Sequence, residues 1–190
     1  MTREGWNASW AGRDLGHAAL LGVRGYDLAM GTPSENDVGI YDDAIIRRIG
    51  DDLTVWRAST DPGAYYIQNP TNPSGCASLR PGLWWYALGE HKNHPALVQE
   101  EAVEVDRLNR SGRAQGREKG FFGLNIHSGG SQYTVGSFSA GCQVIQCPEG
   151  AWGATWQRFY EPLAEAMRQA GQKRLPYLLV DRLVATAASV

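Results

Sequence analysis

Residues 120–145 read GFFGLNIHSGGSQYTVGSFSAGCQVI, and the fold is decided around this stretch. Residues 120–127 are mostly apolar and predict a buried strand that ends at His127. Residues 136–141 are rich in glycine and serine, which predicts a tight loop that delivers Cys142. A second apolar run begins at Val144. The pattern therefore places a histidine at the end of one strand and a cysteine at the start of another.

His127 and Cys142 form a candidate catalytic pair. A cysteine attacks a carbonyl group as the thiolate, and a free thiol is mostly protonated at neutral pH. A histidine within hydrogen-bond reach takes the proton and later returns it to a leaving amine. The structural alternative is that the cysteine is a small buried hydrophobe and the histidine a satisfied strand residue.

The segment resembles the catalytic segment of the L,D-transpeptidase family, which carries a histidine, a gap of similar length and a Ser/Thr-His-Gly-Cys loop. His127 matches the family histidine, Ser139 the Ser/Thr, Gly141 the glycine and Cys142 the nucleophile. The resemblance implies a single, mainly β, peptidoglycan-processing domain. It also implies an acyl-enzyme at Cys142, with His127 acting first as base and then as acid.

The chain departs from the family pattern in three places. Ala140 replaces the loop histidine, and Ser128 follows His127 where glycine is common. Gln143 and Val144 stand where the family has an apolar residue followed by Asn or Arg. In the family, the polar side chains that are missing here shape the part of the site that binds the acceptor amine. We therefore expect the protein to hydrolyse stem peptides, as an endopeptidase or carboxypeptidase, slightly in preference to transpeptidation.

The residues around the pair supply further candidates. Backbone N–H groups near Gly141 and Cys142 are expected to stabilise the oxyanion. Ser128 and Gly129 are predicted to contact substrate, and Ser128 or a nearby backbone carbonyl is a candidate for orienting His127. Residues 109–119 are polar and predict an exposed loop beside the site. In one interpretation, Arg113 and Arg117 of this loop bind a carboxylate of the substrate. In the favoured interpretation, the loop is a solvent-exposed connection without a role in binding.

Two other functions compete with the cysteine enzyme. His91 and His94 could join His127 and Cys142 in the site of a zinc peptidase, because zinc accepts His and Cys ligands with one open position. The HExxH motif is absent, however, and the cysteine-enzyme interpretation needs no metal and no cofactor. The other alternative is a non-enzymatic module that binds the cell wall or builds a virion.

Composition limits the class of protein. The 190 residues are 43% hydrophobic and 20% charged, as in an ordinary globular protein, so we expect one domain over residues 1–190 with about the first 19 residues peripheral. The net charge of −2 argues against nucleic acid as a partner. No run approaches the roughly 20 apolar residues of a membrane span.

The beginning of the chain bears on location. Residues 1–7 lack the apolar core of a signal peptide. We therefore expect synthesis in the cytoplasm and action on peptidoglycan in the cell wall or periplasm by a non-standard route, as for an endolysin or an effector.

The pattern of the whole chain predicts an α+β fold, mainly β with helices packed on it. Strands are predicted at residues 38–49, 53–59 and 175–180, and a weak helix at 96–108. A second helix is predicted to end at Gly171, and Pro162 is predicted either to interrupt it or to start a further helix. The helix is predicted from apolar residues at helical spacing: Trp152, Trp156, Phe159, Tyr160, Leu163 and Met167. Cys147 is predicted to be structural, on the face opposite Cys142, and Cys76 is unassigned.

Overall fold

A closed barrel forms the centre of the protein. The computed structural model describes residues 3–10, 13 and 15–181. Within these residues, neighbouring strands of the barrel follow the order β1 (Ala18–Val23), β13 (Leu175–Val180), β7 (Gly82–His91), β8 (His94–Gln99), β11 (Ile126–Ser128), β12 (Gln143–Ile145), β5 (Asp52–Ser59) and β4 (Asp43–Ile49). The fold is mainly β with a few helices, which confirms the predicted α+β class.

The other elements lie outside the barrel sheet. A three-stranded antiparallel sheet has the order β10 (Ala114–Gly120), β9 (Val103–Leu108) and β6 (Cys76–Leu79). A two-stranded sheet pairs β2 (Tyr26–Asp27) with β3 (Thr32–Pro33). The helices of the described residues are α1 (Arg3–Ser9), α2 (Ala64–Gln68) and α3 (Ala154–Gln169). None of these helices is long and apolar enough to cross a membrane.

Two pairs of neighbouring barrel strands are parallel. β1 pairs with β13, and β11 pairs with β12. A parallel pair requires the chain to cross from the end of one strand to the start of the next. Between β11 and β12 this crossover is residues 129–142, and it contains no helix. The crossover therefore begins directly after the histidine strand and ends with the loop that contains Cys142.

Strands β1, β4 and β13 of the barrel bury most of both faces. Inward side chains such as Leu20, Ile45 and Ile126 belong to one core cluster, which also contains α3 residues such as Phe159. Outward side chains of β1, β4 and β13 form a second cluster with residues 6 and 10, both tryptophans. The N-terminal helix is thus packed on the barrel rather than only attached to it.

Helix α3 continues through Pro162 rather than being interrupted there. Proline has no N–H, so the carbonyl four residues earlier loses its helical partner. The Arg47 guanidinium on β4 donates from Nη1 to the carbonyls of Arg158 at 2.7 Å and Phe159 at 2.6 Å. This side chain supplies the donor that proline lacks, which explains why the helix is unbroken.

Several predicted elements are wrong. Residues 96–108 are not a helix; they fall in β8 and β9, and β9 alternates buried and half-buried side chains as a strand does. The exposed loop predicted at 109–119 is wrong from residue 114 onward, where β10 begins. The strand predicted at 120–127 is confined to β11. The final strand at 175–180, the loop at 136–141 and the helix end at Gly171, with φ +64°, are confirmed.

Candidate active site

The parallel register brings the predicted pair to one face of the sheet. His127 is opposite Val144, and Cys142 lies two residues before Val144. Cys142 and Val144 share a buried cluster, so both point to the same face as His127. Cys142 lies in the loop that leads directly into β12, so the two side chains project from the same face at adjoining strands.

His127 is buried and oriented by the backbone. His127 is only 3% exposed, and its Nδ1 lies 2.8 Å from the carbonyl oxygen of Ser128. An acceptor at Nδ1 fixes the proton there and leaves the lone pair on Nε2. Nε2 has no hydrogen-bond partner among the described residues. Burial, followed by the neighbouring His91, lowers the pKa of His127 to about 4, so the ring is neutral near pH 7 and its Nε2 is a weaker base than that of a free imidazole.

The thiol of Cys142 is protonated in the resting site. Its Sγ donates to the carbonyl oxygen of Gly123 at 3.5 Å. Burial raises the pKa of Cys142 to about 11, opposed by the backbone N–H of Asn125 and by the charge of Lys92. Sγ and His127 Nε2 are not hydrogen-bonded to each other, so attack requires the thiol to turn away from Gly123.

The loop before Cys142 is held by Ser139. Its Oγ donates to the carbonyl of Cys142 at 2.7 Å and accepts from the N–H of Gly141 at 3.1 Å. Gly141 has φ +127°, and a Cβ there would lie 2.5 Å from the carbonyl oxygen of Ala77. Ser139 and Gly141 therefore shape the loop. The Gly141 N–H is occupied by Ser139 Oγ in this conformation, and the role of the backbone N–H groups of Gly141 and Cys142 as oxyanion donors stays a prediction.

Ser128 and Gly129 support the site from behind. Ser128 Oγ accepts from the N–H of Trp152 at 2.7 Å and lies 3.2 Å from Cys147 Sγ in the core. A Cβ on Gly129 would lie 2.3 Å from the hydroxyl of Tyr41. Of the two candidates for orienting His127, the structure therefore selects the backbone: the Ser128 carbonyl binds Nδ1, whereas the Ser128 hydroxyl positions Trp152.

The tip of the β7–β8 hairpin covers the histidine, which the sequence had not indicated. The ring of His91 stacks on His127, with centroids 4.3 Å apart and planes 7° from parallel. Asn125 Nδ2 lies 3.1 Å from His91 Nδ1 and fixes that ring. On the other side of the tip, His94 stacks on Trp152 at 4.4 Å. The available signal was the two-residue turn between the histidines, Lys92-Asn93.

A cavity of about 210 Å³ opens beside these residues. Its lining combines the hairpin tip, the histidine strand and the crossover: His91, Lys92, His127, Ser128, Ser137, Phe138 and Trp152. Cys142 does not line it and is only 7% exposed. The cavity therefore exposes His127 directly, whereas the Cys142 thiol is not part of its wall.

The remaining predicted residues lie elsewhere. Arg113 is in the turn between β9 and β10, and Arg117 Nε on β10 is 3.6 Å from Asp106 Oδ1. Neither arginine lines the cavity at His127.

The four zinc candidates do not form a ligand set. Within the described ranges, no group of three or more His, Cys, Asp and Glu side chains could hold a metal ion. Because the lone pairs of imidazole lie in the ring plane, the parallel rings of His91 and His127 do not converge on one ion.

Comparisons with protein-family models, with curated proteins and with solved structures give no match. A cysteine and an oriented, neutral histidine on one face are the components of nucleophilic acyl transfer.

Proposed function

We propose that the protein is a cysteine enzyme that transfers the acyl group of peptidoglycan stem peptides, and that it acts in the cell wall or periplasm. One observation carries the proposal: buried His127 is oriented through Nδ1 while Nε2 is unpartnered, on the face that Cys142 shares. A buried polar atom without a partner is uncommon and costs free energy, which a function would explain. The L,D-transpeptidase resemblance of residues 127–142 supports the choice of substrate.

The proposed reaction begins with proton transfer. Nε2 of His127 removes the proton from Cys142 Sγ as the sulfur attacks the scissile carbonyl carbon. With the thiol pKa raised and the imidazole pKa lowered, the proton rests on sulfur until attack, so His127 acts as a general base rather than as half of a standing ion pair. The Cys142 N–H donates to the oxyanion, an interaction often worth about 3 kcal/mol.

The second half returns the proton. The carbon–nitrogen bond breaks, the amine leaves with the proton from Nε2, and a thioester remains on Cys142. Water or an amine then attacks the thioester, with His127 again as base, and the thiol is regenerated. Water gives an endopeptidase or carboxypeptidase, which we favour slightly because Ala140 replaces the family's loop histidine. An amine gives a transpeptidase.

The test is mass spectrometry of purified muropeptides incubated with the protein or with Cys142→Ala. Gain of one water, with release of a D-amino acid or halving of a dimer, is the expected result for the intact protein only. Exchange of the terminal residue for an added D-amino acid would assign transpeptidation instead. Unchanged muropeptides with both proteins would overturn the proposal.

A second candidate, a non-enzymatic wall-binding or virion module, is favoured by the resting thiol, which is buried and bonded to Gly123 rather than to His127. The two candidates differ in how fast iodoacetamide labels Cys142. The enzyme predicts labelling faster than that of a buried model thiol and slowed by His127→Ala. The binding module predicts slow labelling that His127→Ala leaves unchanged.

A further inference from the structure

The cavity beside His127 has one full positive charge in its lining. Lys92 supplies it, and no Asp or Glu belongs to the lining residues. Burial lowers the pKa of both histidines in the wall, His91 and His127, so near pH 7 they add no charge. An anionic ligand is therefore favoured in this cavity over a neutral one of the same shape.

Lys92 is held at the cavity by a strained turn. Lys92 has φ +51° and Asn93 φ +64°, which is the two-residue hairpin turn that normally favours Asn-Gly. The left-handed conformation is unfavourable for a lysine, because its Cβ crowds the backbone. The flanking histidines clamp the turn from both sides, since His91 stacks on His127 and His94 stacks on Trp152. Strain retained at a clamped position is a pointer to function.

The charge of Lys92 is also uncompensated within the described part of the chain. Lys119, by comparison, lies 3.9 Å from Glu104, and Arg80 and Arg107 pair with Asp106 and Glu118. Lys92 forms no such ion pair, yet its charge lowers the pKa of both His127 and Cys142. It is therefore electrostatically close to both reacting groups and is available to a ligand.

We infer that Lys92 binds a carboxylate on the acyl-donor residue, next to the carbonyl that Cys142 attacks, with Trp152 and the His91 ring as the flat walls of this subsite. The inference rests on the proposed function and deepens it: the enzyme selects stem peptides in which that carboxylate is free over those in which it is amidated. Lys92 is thus a specificity-determining residue.

The test compares two muropeptides that differ only in this carboxylate, free in one and amidated in the other. The intact protein is expected to show a kcat/KM about tenfold or more higher for the free form, since a charge-assisted hydrogen bond is lost on amidation. Lys92→Gln should remove the preference and Lys92→Arg should keep most of it. Lys173→Gln, which deletes an exposed charge before β13, is the matched control and should behave as the intact protein. A preference unchanged in Lys92→Gln, or absent from the intact protein, overturns the inference.

A binding measurement separates this inference from the proposed function. Each muropeptide is added before iodoacetamide, and alkylation of Cys142 is followed by mass spectrometry. Protection by the free form alone, lost in Lys92→Gln, supports the subsite even if neither muropeptide is turned over, which would overturn only the proposed enzyme. Equal protection by both forms, or by neither, overturns the subsite.

Discussion

The two faces of the β11–β12 pair differ in how their polar groups are satisfied. On the inner face, Ser128 Oγ binds the N–H of Trp152, and Gln143 Oε1 accepts from Tyr177 at 3.0 Å. On the outer face, His127 Nε2 is equally enclosed and has no partner among the described residues. Burial is thus common to both faces, and the main core also contains an unpartnered polar atom, Tyr86 Oη. What marks the outer face as a candidate site is that its unpartnered atom is a ring nitrogen on the face that Cys142 shares.

The two cysteines near this pair repeat the contrast. Cys142 and Cys147 are both buried free thiols, and burial raises the pKa of both. Cys147 belongs to the main core cluster, while Cys142 belongs to a small separate cluster with Tyr41, Val135 and Val144. The pKa values of the two thiols therefore do not show which one is the nucleophile. The distinguishing feature is His127, which shares a face with Cys142.

Substitution of these two cysteines is expected to produce the largest difference between variants. Cys142→Ala should lower turnover of muropeptides by at least roughly 10⁴-fold, because the nucleophile is lost. Cys147→Ala should keep turnover within a few-fold and instead lower stability, because it leaves a small void in the core. Muropeptide turnover and urea unfolding of both variants check this. Equal loss of turnover in the two variants would break the contrast between the faces.

The next effect concerns the loop that delivers the thiol. Gly141→Ala should lower the free energy of unfolding by about 4 kcal/mol, since the positive φ and the close Ala77 carbonyl are both unfavourable for a side chain. Gly116→Ala on β10 is the matched control, because a Cβ there meets no atom within 4 Å. Its stability should change by less than about 0.5 kcal/mol. Similar losses for both would contradict the tight packing of the loop.

A pH series sharpens the comparison at His127. The pKa of this group falls from 6.5 in the unfolded chain to about 4 in the folded protein, so between these values the unfolded chain binds a proton that the folded protein does not. Stability from this group is therefore present above pH 6.5 and is lost as the pH falls through about 4, by about 3 kcal/mol in all. The expected readout is a steeper acid loss in the intact protein than in His127→Gln. Parallel curves would show that the ring is not buried as described.

The smallest effect is expected at Ser139. Ser139→Ala leaves the Gly141 N–H and the Cys142 carbonyl without this hydroxyl, and should cost about 2 kcal/mol in urea unfolding. Ser137→Ala removes an exposed hydroxyl from the same loop and should cost nothing measurable. Were both variants neutral, the loop would be held by Gly141 alone.

The sequence predicted those parts of the site that depend on neighbouring residues. Alternation and glycine placement put His127 and Cys142 at the ends of two apolar segments, and the register places them on one face. Helix α3 was predicted from its spacing, but not its continuity through Pro162, because the compensating donor, Arg47, comes from a strand distant in sequence.

The parts that failed depend on contacts between distant segments. Nothing near Lys92 in the sequence shows that the β7–β8 hairpin folds over His127, because that contact follows from the strand order of the barrel. Residues 96–108 carry a strand alternation that was outweighed by a weak helical pattern. The polar residues 114–119 became a strand because β9 offers them a partner in register from Val103 to Leu108.

Closure of the barrel by β13 has a consequence for synthesis. β13 lies between β1 and β7, so the first barrel strand gains its second neighbour only when the ribosome has released residues 175–180. Pairings between strands so far apart in the chain form slowly. The histidine and the thiol are therefore made well before the scaffold around them is complete, and nascent or truncated chains are expected to carry both residues without an assembled site.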